Sequence, residues 1–596
     1  MKEHIAHMIQ DRAARYGSRE VFRYREVSGG PFKSYSWSDF AGDADRVSRA
    51  LISLGFGHGS LIGIYSDNRI QWPITDIGIL GIRAVVVPFF GSASIPQLKY
   101  IIDETNMQIM FAGNHEQLEK ARGLLDPVTS LQKIVLFQGA VNVDDNRCLT
   151  WDDFLKLGDD PLFETERRQI YEEAQPMDLA TILYTSGTTG EPKGVMLGHD
   201  NFMECFKIHD ERLDITEKDV SMCFLPLSHI FERTWSFYLM YRGAVNAILD
   251  NPREVISVMP VVNPTLMCTV PRFFEKTYDG IIAETAKWPA IKRKIFNWAI
   301  ANGHKRNEYR RLSEEMPFAL KMKIALAEKL VLKKLRNIFG KNIRTMPCSG
   351  AAIREDLLRF FQATGIFVNF GYGATETTAT VSCYRTDRWE FESCGTVMPG
   401  VMVKLSEKNE IMVKGPTVFR GYYNKPEATK EALQDGWYMT GDKGKFTADG
   451  NLVMTDRLKD LFKTSGGKYV SPQMIELMLG QDSLIEQIIA IGDNRKFVSA
   501  LIVPAFDQLK VHAEKLNIDV NNHEQLVTHP EIIRLFQDRI EQLQAGFAPH
   551  ERVVRFTLLP EPFSIDNNAM TSTLKLRRRV IMEKYSELIE KMYSAA

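Results

Sequence analysis

The sequence predicts an α/β fold, a large layered domain followed by a smaller α+β module, and three observations carry that expectation. Short apolar runs at 62–65, 85–89 and 109–111 are separated by helical patterns such as 37–54, the alternation of a layered α/β protein. Similar runs recur at 134–137, 180–184 and 220–226. Past residue 460 the pattern changes to strand-like runs at 487–491 and 497–503 and a helical stretch at 529–543, a compact module of about 135 residues.

Length and composition fit that division. The chain has 596 residues, too many for one core. Apolar residues make up 44% and charged residues 25%, ordinary for a globular protein facing water. A net charge of −1 gives no bulk attraction to nucleic acid, so no nucleic-acid partner is expected. Seven cysteines are scattered without a CxxC pair, which points to a reducing compartment with no structural zinc or disulfide framework. Residues 1–25 alternate charged and apolar types and lack the apolar centre of a secretory signal. No apolar run reaches about 18 residues, so no spanning helix is expected. The expected location is cytoplasmic, with peripheral attachment at the inner membrane surface as an alternative.

The most informative stretch follows the run 180–184. Thr185, Ser186, Gly187, Thr188, Thr189, Gly190, Glu191, Pro192, Lys193 and Gly194 combine hydroxyls, glycines and one lysine. Glycines allow the backbone to approach a ligand, and N–H groups with hydroxyls make a nest for anions. A lysine adds a point charge suited to phosphate. The stretch is not a Walker A loop, because Gly190 precedes Glu191-Pro192 and Lys193 precedes Gly194. It closely resembles the phosphate loop of the adenylate-forming superfamily, which includes acyl-CoA synthetases, luciferases and peptide-synthetase adenylation domains. The resemblance implies that this loop holds the β- and γ-phosphates of ATP.

A second constellation runs from Asn369 through Phe370, Gly371, Tyr372, Gly373, Ala374, Thr375 and Glu376. Two glycines bracket an aromatic ring, which suits a ring lying flat on a planar ligand. A hydroxyl and a carboxylate follow, the hard oxygen donors that Mg²⁺ accepts beside phosphate oxygens. The segment is similar to the superfamily's adenine and magnesium segment. By that resemblance Tyr372 stacks on adenine, Thr375 meets the α-phosphate, and Glu376 holds Mg²⁺ with Thr185. Gly350, Ala351 and Ala352 match the family's other adenine-side loop. Asp442, after Gly441, and Arg457 match the residues that contact ribose.

The resemblance also sets expectations for domains and motion. It implies a large N-terminal multi-sheet adenylation domain over 1–455, a hinge over 456–461 pivoting at Lys459, and a small mobile C-terminal domain over 462–596. Lys575, in a basic cluster near the end, matches the lysine that reaches the reacting carboxylate and α-phosphate. Ser572 stands where long-chain members commonly have proline, so the stiffness of that loop is open.

The chemistry accounts for these residue types. A carboxylate is already ionised near neutrality and needs no general base to attack phosphorus. The obstacle is the approach of one anion to another, which a cation, a hydroxyl-lined loop and a lysine reduce. The product is an acyl-adenylate plus pyrophosphate, and a thiolate can then displace AMP. The segments 224–234 and 263–276 look more like long-chain acyl-CoA synthetases than like other branches, and 467–472 agrees. His229 is placed at the carboxylate site, with a hydrogen-bonded core histidine as the simpler reading. Trp235 borders an apolar tunnel or is plain core. The leading expectation is an ATP-dependent long-chain fatty acid:CoA ligase, with fatty acid, ATP and CoA as partners and Mg²⁺ as cofactor. The alternatives are a fatty acyl-AMP ligase or carrier-protein-loading ligase, and a non-catalytic nucleotide or fatty-acid binding protein. Residues 287–344 hold sixteen Lys or Arg against four acids, with apolar residues at helical spacing. That region reads as a solvated helical hairpin or as a surface touching anionic lipid, the first preferred. Preferred chain length and a homodimer are left open.

Overall fold

The computed structural model describes residues 3–141, 145–185, 191–457, 461–516, 518–564, 567–570 and 576–594. Among them it is a mixed α/β molecule with a large N-terminal part and a smaller C-terminal part. The largest sheet has seven strands in the spatial order Cys148–Thr150, Lys133–Leu136, Ile109–Ala112, Leu61–Tyr65, Val85–Phe89, Leu179–Thr185 and Lys193–Gly198. All its pairings are parallel except the last, a hairpin in which Thr185 lies opposite Lys193. Val85–Phe89 is buried along its whole length. That explains why it reads as a continuous apolar run rather than an alternating one: a parallel strand covered on both faces has no solvent side.

Helices cover the sheets, and the local sequence sets their limits. Trp37–Ser53 starts where the Ser36 hydroxyl accepts from the Asp39 N–H at 3.1 Å, an N-cap that satisfies one of the free donors of the first turn. Trp37, Phe40, Ala44, Val47 and Leu51 then form one buried face.

Three further sheets complete the N-terminal part. One pairs Val220–Cys223, Val245–Ile248, Glu20–Tyr24 and Lys33–Ser36. The expected run 220–226 is a strand only as far as Cys223. Beyond it Asn68 takes over the backbone, donating to the Leu225 carbonyl at 2.8 Å and accepting from the Leu227 N–H at 2.9 Å. Pro226 has no N–H to continue a ladder. Another sheet begins with the parallel strands Thr345–Cys348 and Phe367–Tyr372. The last includes Glu410–Lys414, Trp437–Phe446 and Leu452–Arg457.

One core draws buried residues from Ile5 to Leu452 and a separate one from Phe462 to Leu558. The C-terminal part folds around the strands Ile485–Ile491, Val498–Pro504 and Val553–Leu558, with helix Pro530–Leu543 packed on them.

The basic region is a helical pair. Ala290–Arg311 is followed, after six residues, by Phe318–Ala327, which runs through a wide turn at Glu328–Leu332 into Lys333–Arg336. Glu328 pairs with Arg306 at 3.1 Å and with Arg336 at 2.6 Å, tying the two helices together. No helix among the described residues is long and apolar enough to cross a membrane.

Candidate active site

The site is assembled where three N-terminal elements meet. Strand Lys193–Gly198 packs against the short turn Thr375–Thr377. The segment 419–423 stitches the two together through its backbone. The Phe419 N–H donates to the Glu376 carbonyl at 2.8 Å, the Arg420 N–H to Met196 at 3.1 Å and the Tyr423 N–H to Gly194 at 2.8 Å.

This stitching makes Tyr422 a junction. Its hydroxyl donates to Glu376 Oε1 at 2.9 Å, and its ring lies 5.0 Å from Lys193 Nζ. The lysine of the loop and the carboxylate of the second motif are thereby brought onto one side chain. Glu376 is 9% exposed. Burial pushes its carboxyl up from the ordinary range, and hydrogen bonds from Tyr422 and Tyr438 oppose that rise.

A second cluster lies on the adjoining sheet. The Tyr372 hydroxyl donates to Asp442 Oδ2 at 2.6 Å, and Arg457 Nε sits 3.3 Å from Asp442 Oδ1. Asp442 and Arg457 are cross-strand partners in the hairpin Trp437–Phe446 and Leu452–Arg457. The turn before Asp442 requires glycine, since Gly441 has φ +74°. Tyr438 is buried between the clusters, near Glu376, Tyr422, Tyr372 and Asp442, and burial holds its hydroxyl well above the usual range.

The motif around Tyr372 is fixed by close packing. A Cβ on Gly373 would stand 1.5 Å from the Ala379 carbonyl oxygen, so only glycine permits the chain to fold back there. Gly371 and Ala374 are half-buried, as is Thr375 at the start of the turn. Asn369 is buried opposite Pro347 on the parallel strand. Gly350, Ala351 and Ala352 form an exposed loop beyond Cys348.

A narrow cleft of about 40 Å³ opens between these elements. Its walls include Phe231, Trp235, Cys348, Ser349, Gly371 and Thr380. Trp235 is thus a wall residue, oriented by donation from its indole N–H to Ser221 Oγ at 3.0 Å. His229 caps the helix Ile230–Arg242 that carries Phe231 and Trp235, its Nδ1 accepting from the Phe231 N–H at 3.2 Å.

Ser186, Gly187, Thr188, Thr189 and Gly190, together with Lys459 and Lys575, lie outside the described residues. Thr185 faces Lys193 in the flanking hairpin. Lys193, Glu376, Tyr372, Asp442 and Arg457 come together, while His229 and Gly350–Ala352 stand around the cleft rather than in that cluster. Sequence reasoning missed Tyr422 and the role of Tyr438. The only available signal for the first was the aromatic pair Tyr422-Tyr423 after a glycine.

The residues present fit Mg²⁺ bound largely through a nucleotide. Glu376 supplies one buried carboxylate with a raised pKa, a group that a cation would favour in its ionised form.

Comparisons with known proteins identify the family of the chain. Residues 9–423 match the family model for the AMP-binding enzyme, and 459–596 match that for the AMP-binding enzyme C-terminal domain. The long-chain-fatty-acid–CoA ligase FadD15 of Mycobacterium bovis is 30% identical over 580 residues, covering 96% of this chain and 94% of its own. Human long-chain-fatty-acid–CoA ligase 1 is 29% identical over 595 residues, 95% of this chain and 83% of its own. Among solved structures, the anthranilate CoA ligase AuaEII in complex with anthranoyl-AMP aligns with a TM-score of 0.70 at 18% identity, covering 99% of this chain and 98% of that one.

Proposed function

The chain belongs to the AMP-binding enzyme family, and from that premise we propose that it is an ATP-dependent long-chain fatty acid:CoA ligase. It joins a fatty acid to AMP with release of pyrophosphate, then passes the acyl group to the thiol of CoA with release of AMP. The observation that carries this reading is the meeting of Lys193 and Glu376 at Tyr422, beside the Tyr372–Asp442–Arg457 cluster. Relatives named long-chain-fatty-acid–CoA ligase across nearly the whole chain support the fatty acid and CoA as substrates.

In this reading the chain's residues position and neutralise. Thr185 to Gly190 and Lys193 take the β- and γ-phosphates, while Thr375 meets the α-phosphate. Asp442 and Arg457 both contact the ribose, and the Arg457 guanidinium also lies 3.3 Å from Asp442. Tyr372 borders adenine with Gly350, Ala351, Ala352, Asn369, Gly371, Gly373 and Ala374. Glu376 and Thr185 would hold Mg²⁺, which supplies shielding of phosphate charge when bound. Lys575 approaches the α-phosphate and the attacking carboxylate, and His229 stands at the carboxylate end of the acyl site. Phe231 and Trp235 give the cleft an apolar wall, and each methylene buried there contributes about 0.8 kcal/mol to substrate binding. The domain limits 1–455 and 462–596, with a pivot at Lys459, belong to the same proposal.

The test is exchange of labelled pyrophosphate into ATP with a series of fatty acids, followed by mass analysis of products after CoA is added. Acid-dependent exchange and a new acyl-CoA mass are expected. Exchange without any acyl-CoA would favour an acyl-AMP or carrier-loading ligase, and no exchange with any acid would overturn the reading.

A further inference from the structure

We propose that the helical pair spanning 290–336 docks the protein on an anionic lipid bilayer. The ligase reading gives that docking a purpose, but the geometry stands apart from it. Helix Phe318–Ala327 buries Leu320, Ile324 and Ala327 against the protein. Its opposite side leaves Phe318 77%, Met322 57% and Leu326 49% exposed. Those positions are four residues apart, so they form one row along the helix. Leu330 in the wide turn and Ile291 and Ile295 on the paired helix are exposed as well. Exposed apolar residues are common singly, whereas a row of large ones marks a surface that something covers.

Charge selects the occupant. Lys321, Lys323, Lys329, Lys333 and Lys334 are all exposed around the row. Among the described residues no carboxylate pairs with them: Glu308 is held by Arg311 and Arg359, Glu328 by Arg306 and Arg336, and Glu314 and Glu315 lie in the connection ahead of the row. A second copy of the chain would set this basic strip against itself, and like charges at close range repel. An anionic bilayer takes both features at once: the acyl boundary accepts the apolar row, and the headgroups accept the lysines.

The placement is useful for a lipid substrate. Helix Ala290–Arg311 packs on helix Glu355–Thr364, with Arg306 donating to the Ala363 carbonyl at 3.0 Å. Glu355–Thr364 joins the loop 349–352 to strand Phe367–Tyr372, and Ser349 in that loop and Asn369 in that strand line the cleft. Helix Ala290–Arg311 thus stands between the helix that carries the apolar row and Glu355–Thr364, which leads to the cleft walls at both sides.

The experiment is vesicle flotation of the full chain with phosphatidylcholine alone and with phosphatidylcholine plus phosphatidylglycerol. Binding to the mixed vesicles only, weakening with added salt, is expected. Met322→Glu with Leu326→Glu should lower the partition coefficient at least about tenfold. Replacing Lys321, Lys323 and Lys329 by Gln should lower it about fivefold per lysine. Pyrophosphate exchange with a dissolved hexanoate substrate reports on folding, should be unchanged in both variants, and separates this inference from the ligase reading. A wild-type chain that stays unbound on anionic vesicles at low salt overturns the proposal. So does equal flotation of folded variants, or a row whose substitution instead dissolves a dimer or an acidic protein complex.

Discussion

Tyr422 is the side chain on which the site's charges converge, and its hydroxyl donates to Glu376 Oε1 at 2.9 Å and also meets the Tyr438 hydroxyl. Tyr422→Phe keeps the ring beside Lys193 and removes the donor to Glu376 together with the contact to Tyr438. A hydrogen bond to a charged group contributes about 1.5–3 kcal/mol. Its loss disfavours the ionised form of a carboxyl whose pKa burial has already raised. A proton and a cation compete for Glu376, so the Mg²⁺ concentration giving half-maximal pyrophosphate exchange should rise about tenfold in the variant. The difference should widen as pH falls, because the protonated form then gains. Magnesium titrations at several pH values check this, and superimposable curves for the two proteins would remove Tyr422 from the site. Glu232 poses a separate question of stability. It is fully buried near Cys223 and Cys268, and burial pushes its carboxyl up to about 8. The folded protein therefore keeps a proton that the unfolded chain releases above its ordinary value of 4.5. The contribution of Glu232 to stability therefore falls as pH rises from there to about 8. Glu232→Gln lacks that loss, so its melting temperature relative to wild type should climb between pH 5 and pH 8, by roughly the few degrees that ~1 kcal/mol or more gives. Parallel melting curves against pH would show that Glu232 does not hold the proton.

At the scale of elements, a buried ion pair joins helix Gln71–Gly81 to the helix that carries the cleft wall. Arg233 on Ile230–Arg242 binds Asp76 on Gln71–Gly81 at 2.9 and 2.5 Å, with both side chains 1% exposed. It also donates to Thr181 Oγ1, on strand Leu179–Thr185, at 2.7 Å. Asp76→Ala leaves the guanidinium charged, buried and unpaired, a change that typically costs 3–5 kcal/mol, or about that here. Chemical denaturation should show that loss, with activity at low temperature reduced far less. A loss under ~1 kcal/mol would mean the guanidinium finds water or another partner. The same pair shows what a sequence discloses. Arg233 lies in a run that pointed to the acyl site, but Asp76 is far along the chain and its partner is set only by packing. The parallel strands were legible because burial on both faces demands unbroken apolar runs, as in Val85–Phe89. Lys193 and Glu376 were legible from the residues of their motifs, whereas Asp442 and Arg457 were singled out only by the resemblance to the family. Tyr422 was not, because its task arises from the bridge between Val195 and Tyr422 across chain-distant segments. The exposed row at 318–330 was half legible: helical spacing gave the apolar positions, but both faces of that helix are apolar and only the fold decides which is covered.

Among the described residues the buried clusters of the N-terminal part lie between Ile5 and Leu452 and those of the C-terminal part between Phe462 and Met592, and the proposed two-step reaction can use the two parts in turn. None of these clusters draws buried residues from both parts. Arg272 on the N-terminal part meets Glu486 on the C-terminal part at 2.8 Å, but the side chains are 49% and 48% exposed. An exposed pair of that kind contributes ~0–1 kcal/mol and cannot hold the parts in one arrangement. Lys575 belongs to the C-terminal part and is proposed to serve only while the acyl-adenylate forms. Lys575→Ala should then slow adenylation about 10²- to 10³-fold, the usual loss on removing one preorganised stabilising group. Thioester formation from supplied acyl-adenylate should change far less. Lys459→Pro should do the reverse, because a ring that fixes φ stiffens the proposed pivot after adenylation is complete. Pre-steady-state measurement of each half-reaction in both variants decides the matter. If Lys575→Ala slows both steps equally, the lysine has no selective role in adenylation. If Lys459→Pro transfers to CoA at the wild-type rate, the two parts do not turn about that residue, and a single arrangement must serve both steps.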